Sequence, residues 1–129
     1  MSRLQVVGII AIAVQGHDDP PIFALLFKRW TTQILLVLSQ RPSRFNELAR
    51  AVPASRRMVV ERLRELQDAA LVERRVDPGP PTTITYSITT RGQQLIPHLE
   101  RLWAVAERQH SSGPGWMRHH QENGHDGPD

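Results

Sequence analysis

The chain has 129 residues, a formal net charge of +3 and no cysteine. That length accommodates one domain with a proper core, and the lack of thiols excludes disulfides, thiolate metal sites, a cysteine nucleophile and thiol redox sensing. The charge is uneven: residues 22–108 hold 14 of the 16 basic and 8 of the 13 acidic side chains, a net of +6, and 15 of the 16 basic residues are arginine, the side chain suited to forked contacts with phosphate and guanine.

The two ends read differently from this middle. Residues 1–21 form an apolar extension whose run Leu4 to Val14, "LQVVGIIAIAV", is 11 residues long, too short to span a bilayer. Ala11 and Ala13 are followed by Val14-Gln15 rather than a clear cleavage site. The expectation is burial against the body or a partner subunit, in a cytoplasmic protein without a membrane partner. Residues 109–129, glycine-, proline- and polar-rich from Ser111 onward, read as a disordered tail. His119, His120 and His125 lack the i, i+4 spacing a helical metal site favours, so no metal or other cofactor is expected.

Between them the elements follow in short order. Ile22 to Phe27, nearly all apolar after Pro20-Pro21, predicts a buried helix. Apolar residues at 30, 34, 35, 37 and 38 predict a second, ended by Arg41-Pro42-Ser43. Arg44-Phe45 reads as a scrap of strand, and Asn46 as the N-cap of a short helix carrying Leu48, Ala49 and Val52. Pro53 stops that helix and Ser55 caps the next, in which Val59, Leu63, Leu66 and Ala70 form one core stripe.

The other face of this helix is basic. At about 100° per residue, Arg57, Glu61, Arg64 and Asp68 point away from the stripe, with Val60 on the shoulder and Arg56 on the first turn. Cations at a helix N-terminus oppose its dipole, whereas a bound anion is favoured there. Both facts fit if arginines and helix start address one external polyanion. Two short helices joined by a Pro-Ala-Ser turn make a helix-turn-helix, whose second helix enters the major groove. The plain alternative is a helical hairpin with a solvated face, since Arg57 and Glu61 make a good i, i+4 ion pair.

Next, Ala70 to Val76 and Thr82 to Thr90 are rich in β-branched residues and are joined by "DPGPP", which predicts a β-hairpin. A hairpin after a helix-turn-helix is a wing. Arg74 and Arg75 are placed at its base, within reach of phosphates, and Asp77 at the tip is repelled by them. Thr90-x-x-Gln93 reads as a capping box opening the last helix, and Pro97 is expected to kink it. Leu95, Leu99, Leu102 and Ala106 form a stripe with Ile96 and Trp103 beside it. So wide a stripe at the end of a small domain points to a homodimer, although packing on the protein's own first helix would also use it.

Taken together, the pieces resemble one family, the HxlR-type winged helix-turn-helix transcriptional regulators. They are Arg29-Trp30 with the apolar helix behind it, "RFNEL" (Arg44 to Leu48), "SRRMVVERLREL", "ALVERR", the strand from Pro80 to Thr89, and "RGQQLIPHLERLW" ending on Trp103. The resemblance covers residues 22–108 and implies a mainly α fold with a small antiparallel hairpin. It also implies a homodimer bound to double-stranded operator DNA at an inverted repeat. Arg57, Val60, Glu61 and Arg64 then carry the reading-helix roles. Arg44, Asn46, Ser55 and Arg56 flank them, and Arg74 and Arg75 serve from the wing.

Three departures stand out. The family often has a sensing cysteine before the first helix; here the stretch is "HDDPP" (His17 to Pro21). Phe27-Lys28 replaces glycines before the tryptophan, and Glu61 stands where glutamine is common. An effector, if any, is expected to be a small ligand rather than a thiol reagent. A winged helix used only for protein contact is the alternative function. An enzyme is not expected, because no catalytic motif is recognisable and most histidines lie outside the body.

Overall fold

The computed structural model describes residues 20–111; the apolar head and the tail beyond Ser111 lie outside the described residues. The elements run α1 (Pro21–Leu26), α2 (Thr31–Gln40), β1 (Ser43–Arg44), α3 (Phe45–Ala51), α4 (Arg56–Asp68), β2 (Val72–Asp77), β3 (Thr83–Ile88), α5 (Thr90–Gln93) and α6 (Ile96–Ser111). The three strands form an antiparallel sheet in the order β1-β3-β2, with Ser43 opposite Tyr86 and Val72 opposite Ile88. Helix-turn-helix followed by hairpin is the winged architecture anticipated from the sequence.

The core is one apolar cluster. Ile34, Leu35 and Leu38 of α2 meet Leu48 and Val52 from the α3 region and Val59, Leu63 and Leu66 of α4. Leu71, Val72, Ile96 and Leu99 close it. Fully burying each such side chain stabilises the fold by about 1.5–3 kcal/mol, so the angle between α3 and α4 is fixed by packing rather than by the turn alone.

Several boundaries differ from the sequence reading, each for a local reason. Helix α1 is not a buried helix: of its residues only Leu25 is buried, because a six-residue helix offers a single stripe to its neighbour. Phe23 and Phe27 face outward, ring on ring at 4.8 Å in an edge-to-face arrangement, and Phe27 is 70% exposed. The turn into α2 places Trp30 at φ 75°, with the Arg29 guanidinium 4.7 Å over its indole. Strand β1 ends at Arg44, and Arg44 rather than Asn46 is the N-cap residue of α3. Its backbone N–H donates to Glu47 Oε1 at 3.2 Å, so a carboxylate in the first turn satisfies the helix start.

Ser55 caps α4 as expected, its hydroxyl oxygen accepting from the Met58 N–H at 3.1 Å. The far end is closed by two backbone bonds, Ala70 N–H to Gln67 O and Leu71 N–H to Leu66 O, both 2.9 Å. That pairing puts Ala70 in the left-handed region, at φ 58°, and turns it out of the core stripe into solvent. Glycine is the usual occupant of such a cap because a Cβ is strained there. Ala70→Gly should therefore raise stability by about 0.5–1 kcal/mol, the relieved strain less the extra unfolded-state entropy. A shift of the denaturant midpoint to higher concentration checks this.

At the other end of the wing, Thr89 and not Thr90 caps α5, accepting from the Gly92 N–H at 3.1 Å. Gly92 is required by close approach: a Cβ there would sit 2.5 Å from the Leu71 carbonyl oxygen. The chain then turns at residues 94–95 and restarts as α6, so Pro97 lies in the first turn of a new helix and does not kink an old one. A proline there gives up an N–H that has no intrahelical partner anyway. Helix α6 also continues through Ser111, past the point where the tail was placed.

Candidate nucleic-acid interface

Burial of Leu48 on α3 and of Val59, Leu63 and Leu66 on α4 leaves the opposite side of α4 in solvent. Arg57 stands out in solvent, its side chain 91% exposed, in an i, i+4 ion pair with Glu61 at 3.6 Å. Arg64 and Val60 share that side and are exposed. An exposed pair of this kind contributes well under 1 kcal/mol to folding, so Arg57 is not needed where it is for stability.

Arg56 is held by α3. Its guanidinium lies 4.9 Å over the Phe45 ring, and Nη2 donates to Asn46 Oδ1 at 3.2 Å. A cation in the first turn of α4 is thereby drawn sideways off the helix axis and across the turn. Asn46 faces outward as part of this contact instead of capping. This contact brings the N-terminal ends of α3 and α4 together; Ser55 immediately precedes Arg56 in the chain, and the exposed Arg44 immediately precedes Phe45.

The wing arginines lie elsewhere than at its base. Arg74 pairs with Tyr86 and Arg75 with Thr85, mid-strand, and as strand neighbours they point to opposite faces. Arg75 is engaged by Asp77 at 3.7 Å. Among the described residues, Arg44, Arg64 and Arg74 have no carboxylate within ion-pair distance.

Sequence reasoning missed a charged clamp on the flank of α4. Arg62, 12% exposed, donates from Nε to the Arg29 carbonyl at 2.9 Å and pairs with Glu65, which also takes the Lys28 ammonium. The hydrogen bond from Lys28, reinforced by Arg62 and partly opposed by burial, lowers the Glu65 carboxyl below the ordinary carboxylate range. Its contribution to stability is present above the unfolded-state value and is lost as pH falls through the lowered one. The i, i+3 spacing of Arg62 and Glu65 was visible; the cross-helix carbonyl was not.

The residues assigned to dimerisation divide. Ile96 and Leu99 are buried in the chain's own core, and Leu95 packs against it half-buried. Leu102 is 58% and Trp103 45% exposed, and Ala106 is exposed too. Leu102 borders a groove of about 430 Å³ shared with Phe23 and Leu26 of α1 and with Phe27 just after it. Among the described residues there is no cluster of His, Asp or Glu suited to a metal, and no helix long and apolar enough to cross a membrane.

The comparisons with known proteins agree with this architecture. A family model for HxlR-like helix-turn-helix proteins matches residues 25–113. The chain is 38% identical over 87 residues to the HTH-type transcriptional regulator YodB of Bacillus subtilis, covering 67% of this chain and 78% of that protein. To YvaP of the same organism, an uncharacterized HTH-type transcriptional regulator, it is 40% identical over 84 residues, or 63% and 78% of the two chains. The solved structure of reduced YodB from B. subtilis superposes with a TM-score of 0.64 at 36% identity, over 72% of this chain and 92% of that one. The reduced form of the redox regulator HypR gives 0.64 at 27%, over 68% and 88%. With the helix-turn-helix, the wing and the match in register, this chain belongs to the HxlR-like helix-turn-helix family of transcriptional regulators.

Proposed function

We propose that this regulator binds double-stranded DNA sequence-specifically, as a homodimer at an inverted-repeat operator in the cytoplasm. The observation that carries the reading is the outer side of α4: an arginine 91% exposed at its second residue, with Arg56 braced beside it on α3. Arg57 reads a base edge in the major groove, where a bidentate arginine selects guanine. Glu61 accepts hydrogen bonds but donates none, so it either takes a cytosine amino group or orients Arg57. Arg44, Arg56 and Arg64 contact phosphates, which position the protein without reading sequence. Arg75, already paired with Asp77, contributes less from the wing.

Arg57→Ala should cost roughly 1–3 kcal/mol of specific binding and relax the preference at one base position, whereas Arg64→Ala should weaken all sequences alike. Gel shifts on a panel of single-base operator variants separate the two. Equal, sequence-blind losses from both substitutions would remove Arg57 from base reading.

Control of the binding cannot run through a thiol of this chain, which has none. YodB has been solved diamide-treated and quinone-bound; here regulation rests on a non-covalent ligand or on the concentration of the regulator itself. The outward side chains of α6, Leu102 and Trp103, with α1 across the groove from Leu102, supply the surface for the partner chain.

A further inference from the structure

Val60 has no role in the fold. It follows the fully buried Val59 yet is 44% exposed itself, and it is the one exposed large hydrophobic residue on α4 among the described residues. As a β-branched residue inside a helix it is a poorer helix former than the arginines, glutamates and leucines around it. Neither packing nor helix preference accounts for it. Its surroundings are cationic: Arg56 and Arg57 lie four and three residues before it and Arg64 four after, so all three are its neighbours on the helix surface. An aliphatic tip on a face whose helical neighbours are arginines offers nothing to a phosphate.

In the major groove one base presents an apolar group, the C5-methyl of thymine. With arginines anchoring the helix around it, Val60 would be pressed against base edges and would lose its water only where such a methyl meets it. We propose that Val60 is a specificity-determining residue that selects a thymine methyl in each operator half-site, next to the base read by Arg57. This rests on the DNA-reading function proposed above and deepens it: the arginines supply attraction and a hydrogen-bonded contact, and Val60 supplies a contact that depends on a single methyl group.

The test uses the full chain. A duplex is selected from a randomised pool by the protein, and each thymine is then replaced in turn by deoxyuridine, which keeps every hydrogen-bonding atom and lacks only the methyl. At one thymine per half-site, affinity should drop about four-fold, the value of one buried methyl group. Val60→Ala sits at an exposed site and improves helix preference, so it folds; it should bind the parent duplex more weakly and show no further loss on the deoxyuridine duplex. A wild-type protein indifferent to every replacement would overturn the inference. So would a loss that persists undiminished in Val60→Ala. If no sequence is enriched from the pool, the DNA-reading function falls and the role of Val60 falls with it.

Discussion

Raising salt from about 50 to 200 mM should lower operator affinity by roughly 10³–10⁵ if the dimer neutralises six to ten phosphates, with a slope near −0.9 per phosphate. The expectation comes from arginines that stand in solvent with little to do inside the fold: Arg57 at 91% exposure, and Arg44, Arg64 and Arg74 without an ion-pair partner among the described residues. Arg57 and Arg75 already face carboxylates, at 3.6 and 3.7 Å from Glu61 and Asp77. Arg75 would therefore exchange one anion for another on binding, and Arg57 would leave its carboxylate for a base edge, so the slope should sit toward the shallow end of that range. Fluorescence anisotropy over a salt series measures it. Affinity that ignores salt would mean that the basic side of α4 does not meet a polyanion.

The second large effect belongs to α6. Leu102→Ala together with Trp103→Ala should leave a folded chain that is monomeric, or a mixture, at micromolar concentration. Specific operator binding should collapse while weak non-specific binding survives, because a monomer holds one half-site. Both side chains are about half exposed, so they have little packing to lose among the described residues; the Trp103 indole donates a 3.0 Å hydrogen bond to Glu107 on its own helix. Leu99→Ala is the contrast. That leucine belongs to the monomer core, and its truncation should cost about 2–5 kcal/mol of folding stability whatever the oligomeric state. Light scattering and gel shifts on a symmetric operator distinguish the two. A Leu102/Trp103 double variant that remains a fully binding dimer would move the interface to another surface.

Much of the architecture was legible because periodicity reports burial. The stripe through Val59, Leu63 and Leu66 was correctly read as core, and the β-branched run from Thr82 to Thr90 located β3. Ser55 was a legible cap because hydroxyl caps act over three residues. What was not legible depended on geometry between elements. The left-handed cap at Ala70 is set by two backbone bonds, and nothing in an alanine announces it. Thr89 and Thr90 are chemically alike, so only the chain path decides which one caps α5. In α6 the pattern showed an apolar stripe, yet which part meets the core and which faces outward depends on where α2 lies. The same holds for one arginine of α4: the helical period put Arg57 and Arg64 on the outer face, but it gave no partner for Arg62. Arg62 is drawn inward by a carbonyl of Arg29, far away in the chain, while Arg57 and Arg64 are left outside.

The contact between Arg56, Phe45 and Asn46 also decides how the entropy of binding is shared. An unrestrained arginine forfeits up to about 2 kcal/mol of rotamer freedom when a ligand fixes it. Arg56 has given up much of that freedom before any ligand arrives, since a ring and an amide on the neighbouring helix already hold its plane. Arg57, tethered only to an exposed glutamate, remains free to search. One member of the adjacent pair is therefore pre-organised and, in the proposed DNA-bound state, would set where α4 lands, while the other would stay adaptable and settle last. Lysine in place of Arg56 would keep the charge, but it has no planar group to lie flat on Phe45 and would return the entropic cost to the moment of binding.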